Sequence, residues 1–300
     1  METTTRKTFS HLGFSYFALM VLTQTFSVIC MSTVSVLAPQ WIKTDWFIWA
    51  SSYLPMYLVA VPVFMLLLRK IPDNAAPEQH KLSPKTLLTY FILCMGAVYI
   101  CNIVSVGINA GIALLKGSPV VNPLEMAVTN SGLLYNLLIG CIVAPIGEEF
   151  FFRKWLYKKV GRYGERLYVL LGGLLFALMH ANLSQLLYAF VLGAVFCYIY
   201  AKTGKLWYTI ALYIIINLIG TTVGPLLVQN EIGAVVFSCT VIAFMIAASV
   251  LFALYSHKAT YAAGAESLAH PVKAALCNVG MLSYIILCSL LIVAVFFVPA

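Results

Sequence analysis

Charge is what this chain has least of. Charged residues make up 9% of its 300 residues, and Asp and Glu together number 10, whereas soluble domains carry roughly 25% charged residues. A surface so poor in charge excludes a water-soluble enzyme or binding domain. Cysteine pairs at metal or redox spacing are also missing. Cys30, Cys94, Cys101, Cys141, Cys197, Cys239, Cys277 and Cys288 lie singly in apolar stretches, with no CxxC and no histidine at zinc-finger distance. They read as small buried hydrophobes. No low-complexity tract and no fixed-period repeat appears, which argues against a flexible linker or a solenoid. The 18 Lys and Arg give a formal charge of +8. That excess falls in loops between apolar runs, so it reads as membrane orientation, and no nucleic-acid partner is expected.

Apolar length is what the chain has in abundance. Apolar residues are 62% of the sequence, mean hydropathy is +0.95, and a crossing needs about 20 residues. The expected fold is all-α, a polytopic transmembrane bundle of about nine spans, eight being possible. The spans fall near 13–37, 46–68, 86–115, 127–157, 166–182, 183–202, 206–227, 232–256 and 274–298. With the N-terminus cytoplasmic and the C-terminus outside, 16 of the 18 Lys and Arg fall on one side, leaving Lys43 and Lys116 on the other. That is the asymmetry cytoplasmic loops carry. The first apolar run continues to about Leu37 without a small-residue cleavage pattern and is expected to be a retained helix. No lipidation motif is read at either end. Trp41, Trp46, Trp49 and Trp207 are expected as interfacial anchors, with Trp155 anchoring the cytoplasmic end of the fourth helix. The expected location is a bacterial plasma membrane, with lipid as the immediate partner and the oligomeric state open.

Two of the ten carboxylates sit together inside an apolar run, as Glu148 and Glu149 in Ala144-Pro145-Ile146-Gly147-Glu148-Glu149-Phe150-Phe151-Phe152-Arg153. An ionisable group there costs at least ~2.5–3.5 kcal/mol on insertion scales, which marks a functional site or a cluster at a helix end. Neighbouring residues on a helix point about 100° apart, so the two carboxylates have different surroundings. Glu149 can pair with Arg153 four residues on, leaving Glu148 as the less compensated group and the candidate general base. His180 is the one histidine read as deep within a span, and Asn217 is a candidate hydrogen-bond donor further along. From cationic anchors at Lys158, Arg166 and Lys205, the three lie ~15, ~21 and ~18 Å into their helices. They meet at one depth if those helices pack together. A carboxylate, an imidazole and an amide so placed could hold a water and stabilise an oxyanion. Asn102, Ser105 and Asn109 share a face of the third helix, beside Gly107 and Gly111, which reads as close helix packing. Asn182 and Gln185 are expected to satisfy free helix ends.

These residues resemble the CAAX protease and bacteriocin-processing (CPBP) family, also called Abi or type II CAAX prenyl endopeptidases. Its pattern is EExxxR, then FxxxH, then HxxxN or HxxxD. The first is matched by Glu148, Glu149 and Arg153, and the second by Phe176 and His180. The third departs, since Tyr213 precedes Asn217 where the family has His. The resemblance covers roughly 127–225 and divides one integral-membrane domain into N-terminal helices 1–126, a catalytic core 127–227 and C-terminal helices 228–300. It implies an intramembrane endopeptidase acting on a membrane-tethered peptide or protein. Glu148 would be the general base, His180 its partner and Asn217 an oxyanion donor. Glu149, Arg153, Tyr213 and Phe176 would support them. Family members are described both as zinc and as glutamic proteases. With tyrosine a poor zinc ligand, a glutamate-activated water without cofactor is expected, while a weak divalent site such as zinc at Glu148, Glu149 and His180 stays open. A non-catalytic bacteriocin-immunity or scaffold protein on the same fold is the second reading. A small transporter is the third, and it lacks the expected internal symmetry.

Overall fold

The computed structural model describes residues 2–129 and 131–298, with side chains described from residue 4 onward. Every regular element among them is helical. The long helices are α1 (Glu2–Leu37), α2 (Asp45–Leu68), α3 (Pro84–Lys116), α4 (Leu133–Tyr163), α5 (Glu165–Met179), α6 (Leu183–Thr203), α7 (Leu206–Leu227), α8 (Glu231–Lys258) and α9 (Val279–Val295). The chain is a multi-span membrane bundle, but only 7 of these helices are long and apolar enough to cross. Seven candidate spans are therefore shown of the nine expected. The two that fall short are α5, with 15 residues, and α9, with 17.

The brevity of α5 changes the setting of His180. At 1.5 Å per residue the helix is about 22 Å long, less than a hydrocarbon core of about 30 Å. His180 caps its C-terminus and is not buried mid-span. Ala181 follows with φ 50, the left-handed conformation that reverses the chain into α6. Backbone exposed at such depth must be satisfied by the protein itself. Asn182 does this: its Oδ1 accepts from Gln185 N at 2.9 Å, and its Nδ2 donates to His180 O at 2.9 Å and to Gln185 Oε1 at 2.6 Å.

A second departure lies at the start of α4. The expected helix from residue 127 is interrupted, and Pro123–Thr129 forms a separate short helix. Gly132 adopts an extended conformation at φ −63, ψ 148, and the Asp45 carboxylate occupies the space a side chain there would need.

Three of the long helices contain a widened, π-helical turn just before a proline. In α2 it is Met56–Ala60 ahead of Pro62, in α4 Asn136–Val143 ahead of Pro145, and in α7 Ile219–Val223 ahead of Pro225. A proline lacks the N–H for the carbonyl four residues back, and its ring crowds that carbonyl. Widening the preceding turn accommodates both. A fourth such turn, Phe150–Trp155, has no proline and directly follows Glu148 and Glu149.

In the bundle α4, α5, α6 and α7 are central. Helix α3 packs on α6 with α8 outside it, and α1 packs against α2 and α9 on the other flank. Glycines permit the closest crossings. A Cβ on Gly173 would meet Phe190 O at 2.9 Å, and one on Gly193 would meet Gly173 Cα at 2.9 Å, which fixes the α5–α6 hairpin. Gly13 of α1 likewise abuts the Gly280–Met281 backbone of α9. Gly107 and Gly111 have nothing within 4 Å, so they face outward and not into a helix crossing. The close crossing on that helix is instead at Gly96, where a Cβ would meet Phe244 O of α8 at 2.6 Å, and Asn109 Nδ2 donates to Ser184 Oγ at 2.9 Å. Trp49 is buried, with its ring beside Gly140, and is not an interfacial anchor.

The cation-bearing loops gather at one end of the bundle. Lys159 donates to Asp73 at 2.5 Å, Lys202 to Glu165 at 2.5 Å, and Arg162 lies 3.5 Å from Glu266. The hydrogen bond from Lys159 holds the Asp73 carboxyl below its ordinary value. Its contribution to stability is present at neutral pH and is lost only as pH falls below the ordinary carboxylate range.

Substituting Gly13→Ala is expected to force α1 and α9 apart and to cost about 1–3 kcal/mol. Gly107→Ala should leave stability unchanged or raise it. Thermal unfolding of the two purified variants in detergent checks the contrast.

Candidate active site

Glu148 and Glu149 lie on the short α-helical stretch between the two widened turns of α4, and their surroundings differ sharply. Glu149 and Arg153 are fully enclosed, at 0% exposure each, with Arg153 Nε 3.1 Å from Glu149 Oε1. Neither the guanidinium nitrogens nor the carboxylate oxygens make an aligned hydrogen bond, so charge and enclosure hold the pair. The guanidinium is flanked by aromatic faces, with its carbon 4.4 Å from the Phe176 ring centre and 5.2 Å from that of Phe196. Glu148, by contrast, is only partly buried.

The aromatic run after the carboxylates is pinned from three sides at consecutive carbonyls of the widened turn. Tyr16 of α1 donates to Phe151 O at 2.8 Å, Cys197 of α6 lies 3.4 Å from Phe152 O, and Tyr168 of α5 donates to Arg153 O at 3.1 Å. These donors meet the carbonyls that a widened turn presents sideways, so the unusual local geometry is supported on every side where α4 is enclosed.

Phe176 is the shared neighbour of the site. Its ring centre is 4.9 Å from that of His180, 5.8 Å from that of Tyr213 and 5.3 Å from that of Phe152. The Tyr213 hydroxyl donates to Glu148 Oε2 at 2.7 Å. His180 Nδ1 stands 2.8 Å from Phe176 O. A carbonyl only accepts, so Nδ1 carries the proton and Nε2 of the neutral ring is free to accept. Glu148, Glu149, Arg153, Phe176, His180 and Tyr213 thus form one connected set drawn from α4, α5 and α7. Asn217 lies one turn beyond Tyr213 and donates through Nδ2 to Gly140 O at 3.1 Å. It ties the widened turn of α4 to α7, leaving one amide hydrogen uncommitted.

Over residues 130–219 the chain matches the family described as type II CAAX prenyl endopeptidase Rce1-like. That part of the chain belongs to the CPBP/Rce1-like CAAX protease family. The match takes in α4, α5, α6 and α7 as far as Ile219, with every residue of the connected set, and leaves α1, α2, α3, α8 and α9 outside it. Over that part the chain is consistent with the fold of a CPBP-family intramembrane protease and with hydrolysis of a membrane-bound peptide bond. No curated protein and no solved structure matches the chain.

Three further hydroxyls stand within electrostatic reach of Glu148: Tyr53 and Tyr57 of α2, and Tyr188 of α6. The Tyr57 hydroxyl packs directly on Gly147, in the space a side chain there would fill. Sequence reasoning passes over these residues because 17 tyrosines are scattered through the apolar runs. The four-residue spacing of Tyr53 and Tyr57, which puts both on one helix face, is the available signal. As to a metal, among the described residues no three His, Cys, Asp or Glu side chains form a set that could share an ion. Glu149 is committed to Arg153 besides, so the donors here do not fit a zinc centre.

Removing Arg153 alone strands a carboxylate in an enclosed site. Arg153→Met is expected to lose about 3–5 kcal/mol, and the double change Glu149→Gln with Arg153→Met to recover a substantial part. Thermal unfolding in detergent checks both.

Proposed function

We propose that this CAAX-type protease hydrolyses a peptide bond of a membrane-tethered peptide or protein using a water activated at Glu148. The observation that carries the proposal is the 2.7 Å hydrogen bond joining Tyr213 to a partly accessible Glu148, beside a Glu149–Arg153 pair that is sealed. One carboxylate is reachable and oriented, while the other is committed to structure. In this reading a water donates one proton to Glu148 Oε1 as its oxygen adds to the scissile carbonyl carbon. The neutral His180 ring accepts from the water's other hydrogen through Nε2. Collapse of the tetrahedral adduct breaks the C–N bond, and Glu148 returns its proton to the leaving amine. Asn217, through its uncommitted N–H, would donate to the oxyanion, and Tyr213 would orient the base. Glu149, Arg153 and Phe176 support the site.

The same reading assigns residues 127–227 as the catalytic core, flanked by 1–126 and 228–300. It also keeps nine membrane passages, with α5 and α9 as short members and the N-terminus cytoplasmic. The clustering of the Lys159, Arg162 and Lys202 loops at one end supports that orientation, and Lys43 and Lys116 belong to the other. Under it the site opens toward lipid at a depth suited to a tethered peptide tail.

Purified protein incubated with a membrane-tethered peptide library should cleave it, and Glu148→Gln should lower the rate by about 10²–10⁴-fold. Chelator should leave the rate unchanged. Tyr213→Phe should cost about ten- to a hundred-fold, the worth of a hydrogen bond to a charged group. Absence of cleavage by the wild type across a broad library would overturn the proposal in favour of a binding or immunity protein. In a chain cleared of native cysteines, Lys70→Cys and Lys116→Cys should react with an impermeant maleimide from opposite faces of the membrane.

A further inference from the structure

At the cation-rich end of the bundle, away from the carboxylates, lies an open cavity of about 460 Å³ between the first turns of α1 and the loops after α2 and α4. Tyr163 lines it, with its ring centre 4.9 Å from that of the buried Phe9 behind it. Its walls carry Lys7, His11, Lys70 and Arg162, and its single carboxylate is Glu266. Glu266 faces Arg162 at 3.5 Å, which leaves the two lysines without a counter-charge on the lining. Arg162 is held in place by a hydrogen bond from Nη2 to Pro72 O, while its Nε is buried with no partner.

We propose that this cavity is a binding site for a phosphate-bearing anion. Three cations converge on one half-enclosed space against one carboxylate, and a buried guanidinium N–H has no acceptor from the protein. An anionic tetrahedral group supplies several acceptor oxygens and the missing charge at once. In the smaller cavity, of about 200 Å³ beside Trp155, Asp73 sits 3.7 Å from Lys158 and 2.5 Å from Lys159, which leaves Arg69 as the one lining cation without a carboxylate. Two sources present the required chemistry, the headgroup of an anionic phospholipid at the membrane surface and free phosphate in solution.

The test is thermal unfolding of the full chain in neutral detergent, titrated with short-chain phosphatidylglycerol, with the equivalent phosphatidylcholine, or with inorganic phosphate. Phosphatidylglycerol is expected to raise the unfolding temperature saturably and phosphatidylcholine not to. Because Arg162 also holds the Pro72 loop, the variants used are Lys7→Gln and Lys70→Gln. Each should weaken the apparent affinity about five-fold, and the pair about 25-fold. Lys81→Gln with Lys85→Gln removes the same charge from exposed positions off the lining and should change it less than two-fold. Stabilisation by inorganic phosphate that is lost in the Lys7/Lys70 double variant would also support the site and identify the soluble anion as its ligand. No stabilisation by either anion, or equal loss in the Lys81/Lys85 control, would overturn the proposal.

Discussion

A guanidinium with no exposure to its surroundings, inside a bundle that itself sits in lipid, is the constraint around which the centre of this structure is organised. Arg153 has to be matched in charge and enclosed on every side, because hydrocarbon offers it nothing. Glu149 supplies the charge, and Phe176 and Phe196 supply the aromatic faces. The carbonyl of Arg153 itself is claimed by Tyr168. These partners come from α4, α5 and α6, so one buried cation obliges three helices to converge. The convergence in turn sets the position of Phe176, and with it those of His180 and Tyr213.

Proline has a comparable organising effect on the backbone. In α2, α4 and α7 a widened turn precedes Pro62, Pro145 and Pro225 respectively. An extra residue in one turn rotates everything beyond it relative to a regular helix. In α4 the rotation lies between Gly140, which accepts from Asn217, and Glu148, which accepts from Tyr213. Two residues of α7 a single turn apart thereby hold two points of α4 separated by a proline and a change of helical pitch.

Much of this is legible in the sequence because lipid makes polar residues conspicuous. Glu148, Glu149, Arg153 and His180 stand out against apolar neighbours, and counting residues from cationic anchors already groups their depths. The family pattern adds Phe176 and Tyr213. What is not legible follows from interactions between segments far apart in the chain. The turn that ends α5 is the exception and is legible, since Asn182 and Gln185 interrupt the apolar run there and satisfy the free helix ends. The break at Gly132 lies against Asp45, the first residue of α2. Gly107 and Gly111 look like packing glycines because small residues at helical spacing are common at crossings, yet the real crossings use Gly13, Gly173, Gly193 and Gly280. Tyr53, Tyr57 and Tyr188 are hidden among similar residues, since a tyrosine that lines a site and one that faces headgroups are the same letter in the same kind of run.

The unequal arms of the central hairpin have a consequence for the turn that joins them. Helix α5 has 15 residues and α6 has 21, and the two are clamped at their common end by Lys202 and Glu165. Six residues of difference amount to about 9 Å of helix, so the segment that bears His180 must climb along the longer arm before α6 begins. Its place is therefore set from both sides, by where one helix stops and by where the other starts.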